Sequence, residues 1–121
     1  MMTSKTASTS KVYKIASNRG KPRVWVEGQR LIQFGIVAGM KFDREIADGS
    51  MCLTFYTGKP FPAPETARHT VSGTAARPII DLNGAYLIKL FSGATHYLST
   101  IYHTTGFEMD NLTMYIEGEI K

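Results

Sequence analysis

The chain has 121 residues, 43% of them apolar, and a formal net charge of +4. This length suits one compact domain or two very small ones, and no apolar run is long enough to cross a bilayer. The single Cys52 excludes an intrachain disulfide and a cysteine-based zinc finger, which favours a reducing, cytoplasmic location. Residues 1–10 lack the apolar segment of a secretory signal, and their composition predicts a disordered tail.

The charge is concentrated in the first half of the chain. Residues 1–60 hold ten Lys/Arg and four Asp/Glu, a net +6, whereas residues 61–121 hold four and six, a net −2. The contrast is sharpest between Lys5 and Arg30, where seven cations face only Glu27. A basic half joined to a mildly acidic half indicates a face built for a polyanion, and the alternative is a solvated basic surface that aids solubility.

The first half of the chain shows strands around one helical turn. Arg23 to Glu27 alternates apolar and polar residues, as a half-buried strand does, and Gly35 stands where a helical turn would need a left-handed cap. Asp48-Gly49 is the strongest hairpin signal in the chain. The expected elements are a strand at 11–16, a loop at 17–22, a strand at 23–27, a helical turn at 30–34, and hairpin strands at 41–47 and 51–55.

The same pattern occurs twice. Residues 22–31 (PRVWVEGQRL) align with residues 78–87 (PIIDLNGAYL), 56 positions later, with proline, glycine and leucine in register. Such a repeat indicates that one supersecondary unit was duplicated and that neither copy need fold alone. The second copy has lost cations, since Ile79 replaces Arg23. The predicted organisation is a tail at 1–10, a basic repeat at 11–56, a proline-rich linker at 57–67 and a degenerate repeat at 68–117.

The first repeat resembles a known family. Residues 23–36 (RVWVEGQRLIQFGI), continuing through Gly39 and Asp48-Gly49 to Leu53, are similar to the SpoVT/AbrB-like swapped-hairpin family, which includes AbrB-type transcription factors, MazE-type antitoxins and SymE-type toxins. The closest similarity is to the SymE-like branch, in which a strand-ending glycine precedes a short helix. The resemblance implies an all-β fold with short helical turns, in which two copies interlock their hairpins into a small β-barrel.

The duplication raises the possibility of interlocking within one chain. The two tandem repeats would then form the barrel as a monomeric pseudo-dimer, whereas interlocking between chains would give a homodimer. In AbrB-type and MazE-type members, basic residues of the first strand and loop contact DNA. Arg23 carries over by position, Arg19 and Lys21 lie in the matching loop, Arg30 lies one position before the family's arginine pair, and Lys14 can extend the patch. Guanidinium forks suit phosphates and guanine edges.

Other residues carry weaker signals for chemistry. Trp25 can stack on an unpaired base or fill the interface between hairpins. The three histidines are too scattered to define a metal site, so no cofactor is predicted. The chain has no phosphate-binding loop, dinucleotide fingerprint or nucleophile elbow, and we predict that it is not an enzyme.

The sequence therefore predicts a DNA-binding protein, a transcriptional or nucleoid-type regulator that contacts duplex DNA through its first repeat. Two alternatives stay open. One is an RNA-binding toxin or nuclease of the SymE type. The other is an antitoxin or an inhibitor of a defence enzyme, which would act through a protein partner.

Overall fold

The computed structural model describes residues 5–47, 49–57, 67, 69–106 and 109–120. Strands dominate this part of the chain, and the two helices are five residues long each. The elements are β1 (Lys5–Lys14), β2 (Ala16–Asn18), β3 (Lys21–Glu27), α1 (Gln29–Gln33), β4 (Lys41–Ala47), β5 (Ser50–Tyr56), β6 (His69–Thr70), β7 (Ser72–Gly73), β8 (Pro78–Asn83), α2 (Tyr86–Leu90), β9 (His96–Gly106) and β10 (Met109–Glu119).

The strands form two antiparallel sheets. Sheet A has six strands in the order β1-β9-β10-β5-β4-β6, and sheet B has four in the order β2-β3-β8-β7. The predicted all-β class with short helices is confirmed. No helix in the described residues is long and apolar enough to span a membrane.

The central pair of sheet B reflects the internal repeat. Trp25 lies opposite Asp81, Val24 opposite Leu82, and Val26 opposite Ile80. In the repeat alignment, Val24 corresponds to Ile80 and Val26 to Leu82. The register therefore has a local two-fold axis through the Trp25–Asp81 pair, and β3 and β8 are related by it.

Sheet A joins the two repeats by crossing between them. β1 of the first repeat pairs with β9 of the second, and β6 of the second repeat pairs with β4 of the first. The two hairpins meet in the centre through β5 and β10, where Leu53 lies opposite Met114. Sheet A is thus built from both repeats, because β1 adds a strand to the second hairpin and β6 adds a strand to the first.

The chain passes from sheet A to sheet B at two corners, Ile15 and Val71, and returns to sheet A through the segments that contain α1 and α2. Ile15 N–H donates to the carbonyl of Thr95, and Val71 N–H donates to the carbonyl of Met40. At each corner the chain leaves the hydrogen-bond ladder of sheet A and enters that of sheet B. In the described residues no strand pair joins the two ladders, so the sheets stay separate. They do not close into the β-barrel that the family resemblance implies.

One apolar core lies between the sheets and the helices. Alternation places Val24, Val26, Ile80 and Leu82 of sheet B in this core, while β5 contributes Met51, Leu53 and Phe55 and α1 contributes Leu31. Each such side chain stabilises the fold by about 1.5–3 kcal/mol relative to an exposed one. Gly28 and Gly35 flank α1 with φ of 84° and 78°, values that a side chain would strain.

The structure differs from two of the boundaries predicted from the sequence, and a third predicted segment lies largely outside the described residues. The expected disordered tail is wrong for residues 5–10, which belong to β1. Most of the expected linker at 57–67 lies outside the described residues, apart from Thr57 and Ala67. The second hairpin, for which alternation in the sequence predicts strands at 97–103 and 112–116, is longer in the structure, since β9 ends at Gly106 and β10 begins at Met109.

Candidate nucleic-acid interface

The turn between β2 and β3 presents two predicted site residues, Arg19 and Lys21. Asn18 pairs with Lys21, so Arg19 and Gly20 form a two-residue turn, and their φ values are 55° and 80°. A type I′ hairpin turn requires positive φ at both central residues, and Asn-Gly is the usual choice. Arg19 is the one non-glycine residue with positive φ in the described chain. Both Arg19 and Lys21 are exposed.

Lys14 lies just before the corner at Ile15. It is the last residue of β1, is exposed, and its Cα lies opposite that of His96. Five residues separate it from Arg19, which limits the distance between their Cα atoms to about 17 Å. The side chains of Lys14, Arg19 and Lys21 make no hydrogen bond or ion pair with another described residue. These three residues are called the basic corner below.

Arg23 is held by a carboxylate from the second repeat. Its Nε and one terminal nitrogen donate to the two carboxylate oxygens of Asp81, each at 2.7 Å. The guanidinium also lies 4.5 Å from the centroid of the Trp25 ring, in cation–π contact. Arg23 holds the pKa of Asp81 below its usual range. The Arg23 guanidinium, whose N–H groups could donate to a guanine edge, is therefore already bound to Asp81.

Trp25 lies on the outer face of sheet B, half-buried beneath Arg23. Its backbone N–H donates to the Tyr97 hydroxyl at 3.3 Å. The side chain is at the contact between the repeats, opposite Asp81, because β3 and β8 pair there. It does not lie between the two hairpins of sheet A.

Arg30 is engaged even more fully than Arg23. It donates to the Tyr13 hydroxyl at 3.1 Å, to the Ser99 hydroxyl at 3.0 Å, and to the carbonyls of Thr9 and Ser99 at 3.0 and 2.5 Å. Its guanidinium carbon lies 5.7 Å from the centroid of the Tyr13 ring. Arg30 therefore ties α1 to β1 and β9, and it is not available to an external ligand.

A related contact occurs at the matching position of the second repeat. Tyr86 replaces Arg30 in the alignment, and the guanidinium carbon of Arg44 lies 3.8 Å from the centroid of the Tyr86 ring. The cation comes from the helix in one repeat and from a hairpin strand in the other. Burial raises the pKa of Tyr86, whose hydroxyl has no hydrogen-bond partner in the described residues.

A further ion pair closes the other end of sheet B. Arg77, in the turn before β8, donates from Nε to a Glu27 carboxylate oxygen at 2.9 Å, and a terminal nitrogen lies 2.6 Å from the same oxygen. Hydrogen bonding from Arg77 lowers the pKa of Glu27. The guanidinium groups of Arg23, Arg30, Arg44 and Arg77 all contact protein groups, whereas the side chains of the basic corner do not. Lys89 of α2 is also exposed, but it is a single cation on the second repeat.

No group of three or more His, Cys, Asp or Glu side chains in the described residues could hold a metal ion. No protein-family model matches the chain, and comparisons with curated proteins and with solved structures gave no match.

Proposed function

We propose that this protein binds duplex DNA through its phosphates, using Lys14, Arg19 and Lys21. The observation that supports this proposal is that these three exposed cations have no partner in the described residues, whereas the four arginines discussed above are bound internally. When such cations neutralise phosphates, the counterions condensed on the DNA are released into solution, and this release drives binding.

The backbone of Arg19 adds support. A side chain in the left-handed region costs about 1–2 kcal/mol, and glycine or asparagine would reduce that cost. Arg19 makes no contact in the described residues that would offset it. Strain of this kind is concentrated at functional sites, and the feature that Arg19 adds to the turn is an exposed positive charge.

The proposed contacts position the protein and do not read bases. Arg23, the cation that the family resemblance carries over by position, is neutralised by Asp81, and Arg30 is held by Ser99 and Tyr13. A span of about 17 Å of duplex carries roughly ten phosphate charges, so three cations can each find one. This geometry favours a nucleoid-type protein with low sequence preference.

We also propose that the architecture is a single-chain form of the AbrB-like swapped hairpin. The crossing of β1 to β9 and of β6 to β4 supports this view, because each repeat is completed by the other. The monomer would then act as a pseudo-dimer. Its two β-turns differ, because Arg19 is replaced by Ala75 in the matching turn before β8, and Arg77, which corresponds to Lys21, is paired with Glu27.

Fluorescence anisotropy with a labelled 20-base-pair duplex across a salt series tests the DNA proposal. Three phosphate contacts predict a slope of about −2.7 in log affinity against log salt, and hence a loss of about 40-fold between 50 and 200 mM salt. Changing Lys14, Arg19 and Lys21 together to alanine should abolish this dependence.

The matched control changes Lys41, Arg77 and Lys89 to alanine. Both triple variants lower the net charge from +4 to +1, since three cations are removed from each. Equal loss of binding in the two would show that only total charge matters and would refute the basic corner. Tighter binding to single-stranded RNA than to duplex DNA would favour a SymE-like RNA binder.

A further inference from the structure

A groove crosses the outer face of sheet A, far in sequence from the basic corner. Its volume is about 510 Å³, within the range of small-molecule sites. Alternation along β9 and β10 turns Ile101, Leu112 and Met114 into the core and the intervening residues outward. The groove is lined by Thr100, Tyr102, Thr104, Asn111, Thr113 and Tyr115, and Glu117 closes one end.

Two tyrosines form the aromatic part of this groove. Tyr102 is 39% exposed and Tyr115 is 41% exposed, so each leaves ring surface open to a ligand. Their centroids are 5.6 Å apart with an interplanar angle of 81°, an edge-to-face pair. The face of such a ring is electron-rich and attracts C–H bonds that carry partial positive charge. Hydrogen bonding with Cys52 raises the pKa of Tyr115.

The charges nearest the groove are negative, while the two lysines of this face, Lys14 and Lys41, lie towards the ends of β1 and β4. Glu117 lies in the groove, and Glu45 lies on the same face, since Tyr115 pairs with Cys52 and Cys52 pairs with Glu45. None of the groove-lining side chains carries a positive charge. Carboxylates repel phosphates, so this groove is unsuited to nucleic acid even though it carries exposed aromatic rings.

The position of the groove also argues against an added peptide strand. β9 pairs with β1 and β10, and β10 pairs with β9 and β5, so the backbone groups beneath the groove are already used in ladders. A peptide that binds as an extra strand needs a free sheet edge. The groove instead offers side-chain hydroxyls, one amide and one carboxylate, a set that matches a ligand rich in hydroxyl groups.

We propose that this groove binds a neutral oligosaccharide. Tyr102 and Tyr115 contact the C–H faces of the sugar rings, and Thr113, Asn111 and Glu117 exchange hydrogen bonds with its hydroxyls. The site uses none of the cations proposed to contact DNA, although Lys14, at the end of β1, lies on the same face of sheet A. The same contacts form with the sugar rings of a free glycan and with those of a glycan attached to a larger molecule.

Isothermal titration calorimetry with maltohexaose, cellohexaose and chitohexaose tests the site on the full chain. At least one should bind with a dissociation constant in the millimolar range or below, and salt should leave the affinity unchanged because the ligand is neutral. Tyr102→Ala and Tyr115→Ala should each weaken that binding by about tenfold. Thr113→Val, which keeps the side-chain shape and removes the hydroxyl, guards against loss of folding and should also weaken binding.

The triple alanine variant of Lys14, Arg19 and Lys21 should bind the glycan as the wild type does, which separates the two sites. No binding of any of the three glycans by the folded wild type would overturn the proposal. So would preferential binding of a lysine-rich peptide that weakens with salt, because the face would then be a site for cationic protein segments.

Discussion

Replacing Arg30 with alanine should cost more stability than the loss of any other cation in the chain. The change removes the donor to four acceptors, of which the hydroxyl and carbonyl of Ser99 are the most deeply placed, since Ser99 is 0% exposed. The other two acceptors, on Tyr13 and Thr9, lie nearer the surface and can be rehydrated. Two buried acceptors are therefore left without a donor.

The magnitude follows from these two acceptors. A buried acceptor without a partner costs about 1–3 kcal/mol, so we expect the free energy of unfolding to fall by about 3 kcal/mol. An unfolding entropy of about 2.1 cal/mol/K per residue gives roughly 250 cal/mol/K for this chain, or about 4 °C of melting temperature per kcal/mol. The melting temperature of the Arg30→Ala variant should thus be lower by about 12 °C.

Urea denaturation followed by the fluorescence of Trp25, the single tryptophan, measures this loss. Arg30→Lys should recover only part of it, because an ammonium cannot reproduce the guanidinium fork. Arg19→Ala serves as the control and should change stability by no more than about 0.5 kcal/mol. A loss below about 1 kcal/mol in Arg30→Ala would refute the structural role and return Arg30 to the candidate DNA contacts.

Three further outcomes follow from the geometry. Arg19→Asn should raise the unfolding free energy by about 0.5–1 kcal/mol, because asparagine tolerates positive φ, and should weaken DNA binding in the same anisotropy assay. The pKa of Asp81 is lowered by Arg23, so this pair contributes stability above pH about 4 that is lost as pH falls through the folded-state pKa. On acidification, the urea midpoint of the Asp81→Asn variant should therefore fall less than the urea midpoint of the wild type. Burial raises the pKa of Tyr97 to about 12, so the unfolded state ionises first and stability should drop between pH 10 and 12, a drop that Tyr97→Phe should reduce.

Each of these three predictions has an outcome that would contradict it. An Arg19→Asn variant that is less stable than wild type would mean that the turn is not strained. Parallel acid profiles for wild type and Asp81→Asn would show that the ion pair adds nothing. An alkaline profile unaffected by Tyr97→Phe would assign the loss to other tyrosines.

The repeat and the strand class were predictable because they depend on local periodicity. Proline, glycine and alternating apolar residues recur at a spacing of 56, and pairing of β3 with β8 about Trp25 and Asp81 follows that symmetry. The Asp-Gly turn signal in the sequence could be used directly, since in the structure Gly49 has φ of 74° and lies between β4 and β5. β1 was only partly predictable, because its first six residues are polar or small and show no apolar alternation.

The availability of the cations could not be predicted. Arg23 meets Asp81, 58 residues later, and Arg30 meets Ser99, 69 residues later. No local pattern indicates either partner, because both contacts depend on how the repeats cross. The basic run between Lys5 and Arg30 was visible as charge, but the structure divides it into cations that hold the fold together and cations that remain open to solvent.

The crossing of β1 to β9 has a consequence for synthesis on the ribosome. Lys5 pairs with Thr105, so the first strand must wait for a segment 100 residues later in the chain. At roughly 5–20 residues per second, translation leaves β1 without its partner for about 5–20 s. Pairings so distant in sequence also slow folding, because loop closure must precede the contacts that stabilise it. During that interval the lysines of β1 hinder its pairing with other nascent strands. The positive charge of β1 therefore protects the chain from mispairing before it has folded.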